Sequence, residues 1–263
     1  AHTAMKYWDE GHWWMKYHNK KFTLPYKRSD TFRDRMKMHE TRVKIEDGFI
    51  YPKKTWKNSS LIPEIVELDY NFGYLIGSYC AEGCITRTQI SISNIINEYF
   101  IPIEELCNKY KITYKKYVQH DKNEPGWTSG DIRIYSIILR DIIEKLCGKL
   151  SHNKFVHDNI IFSNEECKKG FLNGYLGGDG TISYKSKHIC ASSTSFALLN
   201  DISVLLKTMG IYSFLRKNKK QTSNNRGTKS ENIHQSWILY VQNASVVLLS
   251  SYLTEIPIKH KAE

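Results

Sequence analysis

The strongest constraint on this chain is a glycine-rich segment that occurs twice. Residues 71–85, NFGYLIGSYCAEGCI, align with residues 168–182, KKGFLNGYLGGDGTI, at an offset of 97 residues. Small residues recur every fourth position in both copies, at Gly73, Gly77 and Ala81 and at Gly170, Gly174 and Gly178. A glycine inside a helix costs about 1 kcal/mol relative to alanine. The two stripes therefore predict two helices whose backbones pack closely against each other.

The similarity continues beyond this segment, so one whole unit is present twice. Lys111–Tyr114 matches Gly210–Ser213 at an offset of 99, and Ile132–Tyr135 matches Trp237–Tyr240 at an offset of 105. The offset grows where the second copy carries the longer polar loop Thr222–Asn232. Insertions of this kind are tolerated in surface loops.

Both units predict the same order of helices and strands. After the glycine-rich helix, the elements predicted for the first unit are Ile85–Asn94 (strand), Glu98–Tyr110 (helix), Lys111–His120 and Asp131–Ile137 (strands) and Leu139–Cys147 (helix). Those predicted for the second are Thr181–Ser192 (strand), Ser195–Met209 (helix), Ile211–Asn218 and Gln235–Val241 (strands) and Ala244–Leu253 (helix). Gly83 and Gly180 are predicted to end the first helix of each unit.

An acid precedes each of these glycines, Glu82 in the first unit and Asp179 in the second. If the two glycine stripes pack together, both carboxylates lie at the same ends of adjacent helices. The helix dipoles and the like charges disfavour that arrangement unless a cation is present. Hard oxygen ligands suit Mg²⁺, and such sites assist phosphodiester hydrolysis. The alternative is a pair of solvated acids.

At these residues the chain resembles a known family. Tyr74–Gly83 and Phe171–Gly180 resemble the two signature helices of the LAGLIDADG homing endonucleases. The resemblance covers residues 70–263 and implies an α+β fold, in which two pseudo-symmetric αββαββα lobes meet at a two-helix interface and form a DNA-binding saddle. It implies a monomeric nuclease that cuts both strands of a long, asymmetric double-stranded DNA target and leaves short 3′ overhangs.

The resemblance also implies the catalytic groups. Glu82 and Asp179 would hold two or three Mg²⁺ ions at the lobe interface, with Glu82 standing where the family more often has aspartate. The family places a lysine near each site, and Lys154 and Lys259, 105 residues apart, match that role. Each would polarise the attacking water or offset charge on the phosphate, with an ordinary phosphate contact as the alternative. Lys261 is a weaker alternative to Lys259.

The strands of both units are predicted to contact DNA. The odd positions of residues 85–93 are polar apart from Ile85, whereas Ile90 and Ile92 lie on the even face. Such alternation is typical of a strand that turns one face to the core and the other to a partner. The candidates in the first unit are Arg87, Gln89, Ser91, Ser93, Lys115, Tyr117, Gln119, Arg133 and Tyr135. Those in the second are Ser183, Lys185, Lys187, Arg216, Lys217, Lys219, Arg226, Lys229, Tyr240 and Gln242.

Charge supports a nucleic-acid partner and marks a separate N-terminal part. The chain has 38 Lys and Arg against 27 Asp and Glu, a net charge of +11. Residues 1–60 hold 14 basic residues against seven acids, and four of the six tryptophans. We therefore expect a basic extension at 1–60, a first lobe at 61–160 and a second at 161–263. The extension is either a DNA-contacting arm or a remnant of an intein.

Composition limits the remaining classes of function. No apolar run approaches the roughly 20 residues that cross a bilayer, which argues against a membrane protein. The six cysteines lack metal-finger spacing and indicate a reducing, intracellular compartment. Two alternatives stay open: a relative that binds nucleic acid without cutting, as an RNA maturase or transcription regulator, and a hydrolase of small substrates. The charge disfavours the second.

Overall fold

The computed structural model describes a set of ranges that covers both repeated units. They are residues 5–9, 12–17, 20–23, 43–47, 49–52, 62–63, 65–86, 88–120, 128–183, 187–218, 221–222 and 233–254.

The N-terminal part contains two small antiparallel sheets. The first has the order β1 (Met5–Asp9), β2 (His12–Tyr17), β3 (Lys20–Thr23), and the second β4 (Val43–Glu46), β5 (Phe49–Pro52), β6 (Ile62–Pro63). Ile62 of β6 is buried within the main hydrophobic core, so the second sheet is joined to that core through this strand. The function of residues 1–60 and the division of the chain at residues 60 and 160 stay predictions.

The described residues of the first lobe form three main helices and one four-stranded sheet. Its elements are α1 (Tyr70–Glu82), β7 (Gly83–Ile85), β8 (Ile90–Asn94), the 3₁₀ turn Asn97–Phe100 with α2 (Ile101–Lys109), β9 (Tyr114–His120), β10 (Thr128–Ile134) and α3 (Ile137–Cys147). The strands are antiparallel in the order β7-β8-β10-β9. After the 3₁₀ turn Ser151–Asn153, the short helix α4 (Asp158–Ile161) leads into the second lobe.

The second lobe repeats this arrangement. Its elements are α5 (Glu165–Asp179), β11 (Gly180–Ser183), β12 (His188–Ser193), α6 (Phe196–Thr208), β13 (Phe214–Lys217), β16 (Trp237–Gln242) and α7 (Ala244–Tyr252). The sheet order β11-β12-β16-β13 is that of the first lobe. An extra pair of strands, β14 (Gln221–Thr222) and β15 (Ile233–His234), flanks the insertion. The predicted α+β fold with two αββαββα lobes is confirmed.

One predicted element of each lobe is wrong in detail. Ile85–Asn94 is not one strand but the hairpin of β7 and β8, because Thr86 N donates to Gln89 O at 3.0 Å and reverses the chain. Thr181–Ser192 is likewise divided between β11 and β12. The alternation predicted across residues 85–93 therefore fails at its start. Ile85 pairs with Ile90 on the core face, and Gln89 lies in the turn.

The two lobes meet where α1 and α5 cross with their backbones in contact. A side-chain carbon added at Gly73 would overlap the carbonyl of Cys167, and one at Gly170 would overlap the carbonyl of Tyr70. In the same way, a side-chain carbon at Gly77 would overlap the carbonyl of Phe171, and one at Gly174 would overlap the carbonyl of Tyr74. This reciprocity indicates a pseudo-twofold axis between the helices, and it confirms the close packing predicted from the stripes.

Polar caps fix both ends of these helices. The Asp69 carboxylate accepts a hydrogen bond from Phe72 N at 2.8 Å before α1, and Asn164 does the same for Cys167 N before α5. Gly83 and Gly180 end the helices as predicted, but with φ of −87° and −74° they are not left-handed caps. At both positions the chain passes directly from the helix into a strand. A side-chain carbon at Gly83 would overlap Tyr79, and one at Gly180 would overlap Leu176, so only glycine fits.

The core runs without interruption through both lobes. The largest fully buried side chains include Phe72, Tyr79, Tyr99, Phe171 and Tyr175, which all surround the α1–α5 contact. No helix in the described ranges has both the length and the apolar character to cross a bilayer.

We predict that Gly174→Ala lowers the free energy of unfolding by about 3 kcal/mol, because the added methyl meets the Tyr74 carbonyl and the backbone of Ser78. The measurement is urea-induced unfolding of the purified chain. Gly130→Ala is the matched control, since its methyl would meet its nearest atoms only at ordinary contact distances of 3.4 to 3.5 Å. Equal stability of the two variants would contradict the close backbone packing.

Candidate acidic site and nucleic-acid interface

The two predicted acids end adjacent helices. Glu82 is the last residue of α1 and Asp179 the last residue of α5. A side-chain carbon built on Gly178 would lie 3.0 Å from Glu82 Cγ, so the Glu82 side chain lies against the second helix one residue before Asp179. The structure thus brings together the ends of the two helices that carry the predicted acids.

A buried tyrosine lies beneath both acids. Tyr99 has no exposed surface, and its hydroxyl donates to the carbonyl oxygen of Gly174 at 2.6 Å. Burial raises the pKa of Tyr99 well above its ordinary value, and Tyr74, Glu82 and Asp179 raise it further. The phenol is therefore neutral at physiological pH. Because both carboxylates raise the pKa of this one phenol, both lie near its hydroxyl.

This region fits a hard divalent cation in its donor chemistry. Two carboxylates lie at the C-terminal ends of helices, where the dipoles add negative charge. No group of three or more His, Cys, Asp or Glu side chains suited to a metal occurs among the residues the structure describes. An ion between Glu82 and Asp179 would therefore need further oxygen ligands from water, backbone or substrate.

The side chain of Lys154 lies at the end of α1, next to Glu82. Its ammonium group is buried and donates to the carbonyl oxygens of Tyr79 at 2.8 Å, Cys80 at 3.0 Å and Gly83 at 2.9 Å. These are carbonyls of the last turn of α1 and of the residue after Glu82. All three ammonium protons are directed at the negative end of the helix, so Lys154 caps α1 in this structure.

The main chain of the same residue belongs to the second lobe. The hydroxyl of Ser195 donates to the Lys154 carbonyl at 2.6 Å and also caps α6. Two residues later, Val156 N donates to the Asp201 carboxylate at 3.0 Å. The segment 154–157 thus contacts α1 through the buried Lys154 side chain and α6 through its backbone.

The outer face of the first sheet carries the predicted contacts. Ile132 and Ile134 of β10 are fully buried, so Arg133 lies on the opposite face. Across the sheet Arg133 pairs with Ser91 of β8 and with Lys115 of β9. The same face carries three further candidates, Ser93, Tyr117 and Tyr135. Gln119 occupies a position in β9 opposite Ser129.

The outer face of the second sheet is more aromatic. Tyr240 of β16 stacks on Phe214 of β13, with ring centroids 5.3 Å apart, and meets His188 of β12 edge-on at 5.5 Å. Arg216 lies two residues from Phe214, and Gln242 two residues from Tyr240, on this same face. Lys217 is turned to the other face, where its ammonium lies 5.8 Å above the Trp237 ring.

The remaining candidates lie either at the ends of strands or outside the described residues. Ser183 ends β11, and Lys187 is exposed in the turn before β12. Six candidates lie outside the described residues: Arg87, Lys185, Lys219, Arg226, Lys229 and Lys259.

Sequence reasoning missed several residues on these faces. Asp131 lies beside Arg133 on the outer face, and period-two alternation around Ile132 would have found it. Phe214, His188 and Ile238 were missed because apolar or lone histidine residues in strands are usually assigned to a core.

The family comparison matches the second lobe. A family model described as a LAGLIDADG-like domain matches residues 166–247. This part of the chain is therefore similar to a LAGLIDADG-like domain. The match begins with α5 and ends in α7, and it confirms the resemblance to the LAGLIDADG family.

Larger proteins share part of this chain. The DNA-directed RNA polymerase subunit Rpo1C of Methanocaldococcus jannaschii is 35% identical over 164 residues, which cover 62% of this chain and 19% of that protein. A DNA polymerase of Thermococcus litoralis is 31% identical over 155 residues, covering 57% of this chain and 9% of the polymerase. The chain therefore spans only a small part of these relatives.

Solved structures with similar architecture have low sequence identity. The homing endonuclease I-DmoI in complex with DNA and Mn is 12% identical, with a TM-score of 0.49 over 71% of this chain and 97% of that one. The N-terminal LAGLIDADG domain of DUF199/WhiA is 13% identical, with a TM-score of 0.49 over 71% of this chain and 82% of that one.

We predict that Lys154→Met lowers the free energy of unfolding by about 3 kcal/mol, because three carbonyls at the end of α1 lose a charged donor. Chemical denaturation measures the loss. Lys149→Met, at an exposed position five residues earlier, should leave stability nearly unchanged. Wild-type stability of Lys154→Met would instead favour the predicted role in catalysis.

Proposed function

We propose that this chain is a site-specific DNA endonuclease of the LAGLIDADG type. It cuts both strands of a long, asymmetric double-stranded target and leaves short 3′ overhangs. The observation that carries the proposal is the convergence of Glu82 and Asp179 at the ends of two helices with their backbones in contact. Both acids are present where a binding protein would have no need of them.

Charge and surface chemistry support duplex DNA as the substrate. The net charge of +11 favours a polyanion. Both sheets carry basic and aromatic side chains on one outer face, and a two-stranded ribbon fits the major groove. In this proposal the two sheets form a saddle over the DNA, and the acids meet the backbone between the two half-sites.

The distribution of relatives supports a self-contained module. A similar segment occurs in an RNA polymerase subunit and in DNA polymerases, where it makes up 19% and 9% of the length. Those enzymes make different products, RNA and DNA, so their shared segment need not serve polymerisation. A nuclease embedded in unrelated host proteins accounts for this pattern.

Glu82 and Asp179 are the residues that would hold divalent ions, with Mg²⁺ the proposed metal. Such an ion lowers the pKa of bound water and stabilises charge on the phosphate. Tyr99, neutral and hydrogen-bonded to Gly174, supports the floor of the site without adding charge. Lys154 holds the end of α1 and so fixes the backbone from which Glu82 projects.

We predict that Glu82→Gln and Asp179→Asn each lower the rate of double-strand cleavage by at least 10³-fold, with little change in DNA affinity, because each removes one carboxylate from the metal site. The assay is cleavage of genomic DNA from a relative lacking this gene, in Mg²⁺ and in Ca²⁺, with sequencing of every new end.

Glu166→Gln is the matched control for these variants. Glu166 lies in the first turn of α5, the same helix that ends in Asp179, and pairs there with Lys169. The Glu166→Gln variant should cut DNA at the wild-type rate. If the wild-type chain in Mg²⁺ binds DNA specifically but produces no new DNA ends, the proposed nuclease activity is wrong. That outcome would favour a relative that binds without cutting.

We predict that DNA affinity falls steeply with salt. Neutralising six to ten phosphates releases counterions, so affinity should drop roughly 10³- to 10⁵-fold between 50 and 200 mM salt. Fluorescence anisotropy with a labelled duplex measures the slope. A flat response over this range would exclude DNA as the polyanionic partner.

A further inference from the structure

An acid lies in the middle of the outer face of the first sheet. Asp131 is only 8% exposed, and its carboxylate accepts hydrogen bonds from Arg133 Nε at 2.5 Å and from the Ser91 hydroxyl at 3.3 Å. A carboxylate on a surface that approaches DNA is repelled by the phosphates. Its presence on this face therefore requires a compensating role.

The guanidinium of Arg133 is held from two directions. Asp131 bonds to its Nε, and its central carbon lies 4.2 Å from the centre of the Tyr117 ring. The ring itself is fixed by the hydroxyl of Tyr135, 3.1 Å from the Tyr117 hydroxyl. Arg133 is therefore ordered before any ligand binds, with about a third of its side chain open to solvent.

The contact with Asp131 leaves the two terminal nitrogens of the Arg133 guanidinium for binding a ligand. A guanidinium has five N–H donors, and the bond to Asp131 uses the one on Nε. The two terminal nitrogens match a pair of adjacent acceptors. In the major groove only guanine presents two acceptors on one base, O6 and N7, whereas adenine pairs an acceptor with a donor.

We propose that Arg133 recognises a guanine in the half-site contacted by the first lobe, and that Asp131 is the positioning residue that fixes Arg133 for this contact. The inference rests on the proposed DNA-binding function and adds a base preference to it. Lys115 pairs with Arg133 across the sheet, but its exposed ammonium is a single charge suited to phosphate rather than to a base.

The second lobe has no such pair at the equivalent positions. At the offset of 105 residues, Asp131 and Arg133 correspond to Ser236 and Ile238. Ile238 pairs with Ser192 and Arg216, beside the stacked rings of Phe214 and Tyr240. The guanine contact thus belongs to one half-site only, and it gives an asymmetric target a defined orientation on the protein.

The test is selection of binding sites from a random pool of duplex DNA with the full chain. We compare the wild type with Arg133→Lys, which keeps the charge but loses the fork, and with Asp131→Ala. Both should lower the preference for guanine at one position roughly 5- to 150-fold and leave the other positions unchanged. Lys115→Ala is the control, and it should weaken binding to all sequences alike.

The outcomes separate this inference from the proposed function. A selected site whose base preferences are unchanged in Arg133→Lys would overturn the guanine contact while leaving a DNA-binding protein. No selected site and no salt-sensitive binding by the wild type would overturn the proposed function itself. Thermal unfolding of Arg133→Lys at the wild-type midpoint ensures that lost preference reflects the lost fork.

Discussion

The backbone contact between α1 and α5 determines the rest of this structure. Because the glycines at positions 73, 77, 170 and 174 leave no room for side chains, each helix is held at one rotation and one height against the other. That geometry places Glu82 and Asp179 at the same level and spreads the two sheets to either side. A site made from the ends of two helices needs this rigidity, since a small displacement would separate the acids.

Pseudo-symmetry in the backbone coexists with different side chains in the two lobes. The sheet orders are the same, yet one outer face is centred on an ion pair and the other on stacked rings. The sites differ as well, with glutamate in one lobe and aspartate in the other. The two lobes share one architecture, and in the proposed function the divergence of their surface residues would allow the two halves of a DNA site to differ in sequence.

Most of the architecture was predictable because it depends on spacing. The period of four in the glycine stripes and the repeat of the whole unit predicted the helix pair, the two lobes and the position of both acids at the ends of adjacent helices. The hairpins were missed because the turn at residues 86–89 lacks the glycine or proline that usually marks one. The cap formed by Lys154 was beyond sequence reasoning, since it depends on carbonyls more than 70 residues away.

The connection between the lobes has a further consequence. Domain linkers are commonly the places where proteases cut and where domains hinge. In residues 154–157 the Lys154 side chain is bonded to one lobe and the backbone to the other, and Lys154 and Val156 are almost fully buried. These bonds tie the two lobes to each other at the connection itself, so that in the proposed function it is the duplex that has to adapt its curvature to the protein.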